Sequence, residues 1–129
     1  MSVKVLVGNK AALIEKYQKA GFGKVVAAVR VLIAADKQRG IDTSLIFLDD
    51  PVAMRRHRGK AVTDLRSGQQ HKEAIDAIYH SVRPDYLAIL DAPDVVPHVS
   101  MRNPAPEDDD PDVPSDLPYG CDAPFSRDV

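Results

Sequence analysis

The 129-residue chain has a formal net charge of −2, with 44% hydrophobic and 28% charged residues, values that are ordinary for one soluble globular domain. A net negative charge argues against a dedicated nucleic-acid-binding protein, and no apolar stretch is long enough to predict a membrane span. The single cysteine, Cys121, excludes an internal disulfide, and the first residues do not form a secretory signal. The sequence therefore predicts a cytoplasmic protein.

The first part of the chain predicts one strand and two helices. An apolar run at residues 3–7 predicts the first strand, and residues 10–20 predict a short helix. The glycines of residues 21–23 predict an interruption, because glycine reaches positive φ at little cost. Apolar residues spaced at i, i+4, i+7 and i+8 predict a longer helix over residues 24–39, with Gly40 as its stop.

The middle of the chain predicts two more strands with a helix between them. The second strand is an apolar run at residues 43–48, and a basic, solvated loop or frayed helix follows at residues 54–60. A 3.6-residue apolar period predicts a helix over residues 69–82, before a third strand at residues 86–90. This alternation predicts a three-layer α/β domain whose short parallel sheet has the order 2-1-3 and is flanked by helices.

The predicted α/β domain covers residues 1–98, and residues 99–129 form an acidic, proline-rich extension. Six of the ten prolines lie in the extension, which has little helical or strand pattern. We expect it either to pack on the edge of the sheet or to be partly disordered. Leu117, Tyr119 and Phe125 favour local docking over full disorder.

Two phrases in the second half resemble those of the gingipain-type cysteine peptidases, which have a caspase-like fold. The first is the strand and turn at residues 87–97 (LAILDAPDVVP), and the second is residues 115–120 (SDLPYG). The resemblance implies that the chain corresponds to the N-terminal, non-catalytic subdomain of such an enzyme, since the family's catalytic His and Cys segments have no counterpart here. Asp91 stands where the family usually has glycine, and this predicts an altered turn.

A subdomain of this kind would be a structural or interaction module without catalytic, cofactor-binding or metal-binding residues. The predicted interface residues are Asp116, Leu117, Tyr119 and Phe125. A three-stranded sheet leaves an unpaired edge, which invites pairing with another chain. The expected partner is therefore a protein, either a catalytic peptidase subdomain or a second copy of this chain, and not nucleic acid or a membrane.

The alternative prediction is a small binding or switch domain. Asp49 and Asp50 follow the second strand, and Asp91 and Asp94 follow the third. The carboxyl ends of parallel strands meet at one edge, where α/β sheets place their ligands. On this alternative, the four carboxylates hold a divalent cation or a cationic ligand.

A calcium site in the acidic extension is a weaker hypothesis. Asp108, Asp110 and Asp112 have the spacing of the first three ligands of an EF-hand loop. Val113 and Tyr119, however, occupy the positions of the required glycine and bidentate glutamate. A solvated acidic loop is the favoured interpretation, with calcium as the cofactor if one binds.

The cysteine and the histidines of the second half give no convincing reactive pair. A dyad of Cys121 with His98 is disfavoured, because acidic neighbours oppose the thiolate that nucleophilic catalysis needs. His71 and His80 are predicted on the exposed side or margin of their helix, without the i, i+4 partner of a zinc pair.

Overall fold

The computed structural model describes residues 1–105 and 107–128 and has a mixed α/β fold. Three strands form a parallel sheet in the order β2-β1-β3, with β1 at Ser2–Gly8, β2 at Ile41–Phe47 and β3 at Tyr86–Ile89. The predicted short parallel sheet and its order are therefore confirmed.

Three helices flank the sheet: α1 (Lys10–Gln38), α2 (Pro51–Arg56) and α3 (Gly68–Val82). Each begins after a side chain that accepts hydrogen bonds from first-turn backbone N–H groups, and these caps are Asn9, Asp50 and Ser67. Asn9 directly follows β1, so the cap of α1 also marks the carboxyl end of the central strand.

The predicted division of this segment into two helices is present as a kink, but its predicted position at residues 21–23 is wrong, because the helix continues through both glycines. The backbone leaves helical geometry earlier, at Gln18, where φ is 62° and ψ is 174°. Position 21 requires glycine because of the space there, since a Cβ atom at Gly21 would lie 2.7 Å from the Cβ atom of Tyr17. Glycine therefore leaves room for the kinked segment without being the residue that forms the kink.

Alternate residues of β1 face two different layers. Val5 and Val7 are fully buried in a cluster that includes Ile75 of α3. Lys4 points to the opposite face, where its Nζ atom lies 2.8 Å from a carboxylate oxygen of Asp36 in α1. The central strand is thus covered by α3 on one side and by α1 on the other, as its near-continuous apolar sequence predicts.

A buried carboxylate joins α1 to two strands. Asp36 is fully buried and accepts hydrogen bonds from Lys4 Nζ of β1, from Thr43 Oγ1 of β2 at 2.7 Å, and from the Arg39 guanidinium. The Lys4 ammonium, followed by the Thr43 hydroxyl, lowers the pKa of Asp36 to about 2 despite its burial. A single aspartate near the end of a helix gave no sequence signal for this role.

The extension contains more regular structure than its sequence predicts. Strands β4 (Val99–Arg102) and β5 (Asp112–Ser115) pair antiparallel, and a 3₁₀ helix follows at Leu117–Gly120. Val99 and Met101 are buried in the same apolar cluster as β1 and α3. Four-residue strands have too few alternations to be recognised locally, so the pairing depends on this tertiary contact.

Candidate functional site

A groove of about 500 Å³ lies beside β3, an edge strand of the parallel sheet. Its apolar floor includes Ile75 and Tyr79 of α3 together with Leu87 and Ile89 of β3, and the opposite wall is segment 116–122. Leu87 and Ile89 are only half-buried, although they pair in register with the fully buried Val residues of β1. The groove therefore offers apolar surface next to a strand edge.

The charged residues that line the groove are all acidic, and they are Asp76, Asp85, Asp116 and Asp122. Asp76 lies 2.7 Å from Lys72 Nζ, and Asp122 pairs with His80. Asp85 accepts a hydrogen bond from the backbone N–H of Val3 at 2.8 Å. No ion pair within residues 1–105 and 107–128 involves Asp85 or Asp116, so the groove carries surplus negative charge.

Tyr119 anchors the wall of the groove to the domain. Its side chain is nearly buried, and its hydroxyl donates a hydrogen bond to the backbone carbonyl of Pro97. Burial, with a smaller contribution from the Asp116 carboxylate, raises the pKa of Tyr119, so the hydroxyl stays protonated. The wall is therefore an ordered part of the fold.

Lys72 provides a second attachment for the same wall. It is 1% exposed, and its ammonium group donates to Asp76 and to the backbone carbonyl of Cys121. Sequence reasoning missed this residue because lysine is rarely buried. Its position three residues before Ile75, on the apolar stripe of α3, was the available signal.

Three of the four predicted interface residues lie together in the groove. Asp116 and Leu117 are exposed at its rim, whereas Tyr119 lines it while packing against the core. Phe125 is partly buried against the core and is not a lining residue of the groove. Contact of these residues with a partner stays a prediction.

Two carboxylates of the alternative acidic site act as helix caps. Asp49 accepts hydrogen bonds from the backbone N–H groups of Lys10 at 2.8 Å and Ala11 at 3.0 Å, in the first turn of α1. Asp50 accepts from the first turn of α2. Both carboxylates thus compensate unpaired N–H groups at helix starts.

The other two carboxylates bind a lysine of the chain. Lys16 Nζ lies 2.8 Å from a carboxylate oxygen of Asp91 and 2.9 Å from one of Asp94. The hydrogen bond to Asp91, followed by the one to Asp94, raises the pKa of Lys16. Burial acts to raise the pKa of Asp91, but bonds from Lys16, Tyr17 and the Ala92 N–H outweigh it and lower the pKa. A cation site formed by all four carboxylates stays a prediction.

The turn after β3 contains a left-handed residue that is not glycine. Asp91 has φ of 76°, and its side chain accepts a hydrogen bond from the backbone N–H of Ala92 at 2.7 Å. Short polar side chains that bond locally tolerate this region better than other residues do. The backbone conformation that glycine favours is therefore present with aspartate.

The carboxylates of the hypothetical calcium loop also have partners within the chain. Asp108 accepts from the backbone N–H of Asp110 at 3.0 Å, and Asp112 pairs with Arg127. Among residues 1–105 and 107–128, no group of three His, Cys, Asp or Glu side chains is placed to hold a metal ion. Calcium binding stays a prediction.

The prediction that His71 lies on the exposed side or margin of α3 is wrong. The ring is fully buried between two caps: Nδ1 donates to the backbone carbonyl of Ser67 at 2.7 Å, and Asn9 Nδ2 donates to Nε2 at 3.3 Å. Burial lowers the pKa of His71, so the imidazole is neutral. Cys121 is exposed, and no described hydrogen bond joins its thiol to His98.

No family model, curated protein or solved structure matches the chain. The resemblance to gingipain-type peptidases therefore stands on the two phrases at residues 87–97 and 115–120. Within the part of the chain that the structure describes, none of the helices has the length and apolar character to cross a membrane.

Proposed function

We propose that this chain is a non-catalytic interaction domain, resembling the N-terminal subdomain of a gingipain-like cysteine peptidase, that docks through β3 and its groove. The observation that supports this is the meeting of an edge strand, a half-buried apolar floor and segment 116–122 in one place. An unpaired strand edge is a template for a strand of another chain. The partner is a catalytic peptidase subdomain or a second copy of this chain.

The environment of the only cysteine supports a non-catalytic role. Cys121 lies in the groove among carboxylates, and the nearest attachment of its segment is the bond from Lys72 to its backbone carbonyl. A cysteine nucleophile needs a base within hydrogen-bond reach and surroundings that favour the thiolate. No described hydrogen bond joins the Cys121 thiol to a base.

The docking proposal is tested with a substitution in the rim of the groove. Leu117→Glu places a charge where an apolar contact is expected, and Leu117 is 54% exposed, so the fold should tolerate it. Val52→Glu is the matched control, because Val52 is 53% exposed on α2 and lies outside the groove. Thermal melting of both variants within about 2 °C of the parent would establish that each is folded.

Association is measured by light scattering for the chain alone and by calorimetric titration with a purified gingipain-type catalytic subdomain. We expect Leu117→Glu to weaken the association about tenfold, which corresponds to about 1.4 kcal/mol, and Val52→Glu to leave it unchanged. Absence of both kinds of association would contradict docking. Thiol-dependent turnover of fluorogenic peptides that Cys121→Ala abolishes would contradict the non-catalytic role.

A further inference from the structure

We infer that the groove beside β3 accepts an extended, cationic segment of a different protein, rather than a second copy of this chain. The inference rests on the proposed docking function and names the chemistry of the partner. It follows from the charge of the groove, from its size and from the position of β3 at the edge of the sheet.

The charge of the groove selects a cationic partner. Of its four carboxylates, those of Asp76 and Asp122 have partners in Lys72 and His80, which leaves Asp85 and Asp116 without an ion pair among the described residues. No Lys or Arg belongs to the lining. Arginine or lysine side chains of a partner would therefore meet unpaired carboxylates, which favours both encounter and register.

Arg83, which contacts Tyr79, does not remove this surplus. The guanidinium carbon of Arg83 lies 5.2 Å from the ring centre of Tyr79, so the charge stacks on an aromatic face. Arg83 has no ion pair with a described carboxylate, and it is not a lining residue. The groove keeps its acidic rim.

The same charges disfavour a symmetric dimer. A two-fold interface brings the same patch of both copies together, so Asp85 and Asp116 of one copy would lie near Asp85 and Asp116 of the other. Like charges on opposing strands destabilise the pairing. A second copy of the chain is therefore a poorer occupant than a segment with cationic side chains.

The size of the groove and its position beside β3 favour an extended segment as the bound partner. A volume of about 500 Å³ holds a few side chains, in the size range of ligand sites, and so fits one extended segment of a partner protein. In an extended segment paired with β3, side chains alternate between two sides. Apolar residues can then cover Leu87 and Ile89 while the alternate, cationic residues lie at the acidic rim.

The test uses three fluorescein-labelled hexapeptides and measures anisotropy against the full chain. One peptide alternates valine with lysine and arginine, the second replaces every cation with glutamate, and the third replaces them with threonine. We expect the basic peptide to bind at least about tenfold more tightly than the other two. Asp116→Asn should weaken its binding about two- to fivefold, as expected for one solvent-exposed ion pair.

The matched control is Asp42→Asn, because Asp42 is an exposed aspartate on β2, at the opposite edge of the sheet. Binding of the basic peptide should be unchanged by this substitution and reduced by Leu117→Lys, which removes an apolar contact and places a like charge beside the cations of the peptide. The combination of a charge preference with sensitivity at positions 116 and 117 supports the inference.

Three results would overturn the inference, and they differ in what they mean for docking. Equal binding of the threonine or glutamate peptide, still sensitive to Leu117→Glu, refutes the charge preference and leaves docking intact. A dimer that Leu117→Glu disrupts establishes the second copy as the occupant. No binding of the basic peptide, or binding indifferent to both groove variants, refutes the inference, and the light-scattering and titration assays then decide docking separately.

Discussion

The attachment of the acidic extension to the domain is tested most directly at Tyr119. Its ring is 8% exposed and belongs to the main apolar cluster, and its hydroxyl donates to the carbonyl of Pro97. Tyr119→Phe keeps the ring and leaves this carbonyl without its donor, and Tyr119→Ala removes the ring as well. The two substitutions therefore separate the hydrogen bond from the packing.

The expected losses follow from these contacts. Tyr119→Phe should lower the free energy of unfolding by about 1 kcal/mol, the usual net value of one hydrogen bond. Tyr119→Ala should lower it by about 3–4 kcal/mol, because a large aromatic side chain is removed from a packed site. For a domain of this length the unfolding entropy is about 0.27 kcal/mol/K, so the melting temperature should fall by about 4 °C and about 13 °C.

Calorimetry and urea titration measure both changes, with Leu117→Ala as the control. Leu117 lies two residues before Tyr119 in the same 3₁₀ helix but is 54% exposed, so its truncation should lower the free energy of unfolding by less than about 0.5 kcal/mol. If Tyr119→Ala melted within about 2 °C of the parent, the extension would not be part of the folded core. The wall of the groove, and the docking proposal with it, would then lose their basis.

Three further predictions concern stability. The ionised Asp36 carboxylate stabilises the fold above its ordinary pKa of 3.8, and this stability is lost as the pH falls through about 2. The urea midpoint of the parent should therefore fall more steeply below pH 4 than that of Asp36→Asn, and parallel profiles would contradict this. Because the pKa of His71 is lowered in the fold, the parent should become less stable as the pH falls through 6.5, and His71→Gln should remove this loss of stability. A urea midpoint of the parent that stays constant from pH 7.5 to 5.5 would be the contrary result. Gly59→Ala should lower the free energy of unfolding by about 1–3 kcal/mol, because the new Cβ atom would lie 2.7 Å from the Cβ atom of Ala77. Thermal melting measures this change, and an unchanged melting temperature would refute the clash.

The parts of the fold that were predictable are those whose apolar pattern repeats over many residues. The order of the sheet follows from alternating strands and helices joined by right-handed crossovers. Helix α3 is confirmed at Gly68–Val82, one residue longer than predicted, because its stripe runs for four turns and a proline lies just beyond it. The strand at Tyr86–Ile89 was recognisable from its continuous apolar residues, but as an edge strand it is only half-buried, and Tyr86 is exposed.

Other features depended on which segments meet in space. The kink at Gln18, the burial of His71 and the pairing of β4 with β5 have no local signature, and the only signal for the burial of Lys72 is its place on the apolar stripe of α3. Sequence periodicity reports which side of an element is apolar, but a polar group can be buried wherever a distant residue offers a hydrogen-bond partner. Asn9 and the carbonyl of Cys121 are such partners, 62 and 49 residues away from the groups they bind.

The candidate site divides in the same way. The sequence by itself determined that a strand would end in aspartates and that an acidic segment with a few apolar residues would follow. Only the tertiary structure decided that two of the predicted carboxylates would bind Lys16, while Asp76, Asp85 and segment 116–122 would form one groove beside β3. Charge density is a local property of a sequence, whereas the pairing of each charge is set by the neighbours that folding brings within about 4 Å.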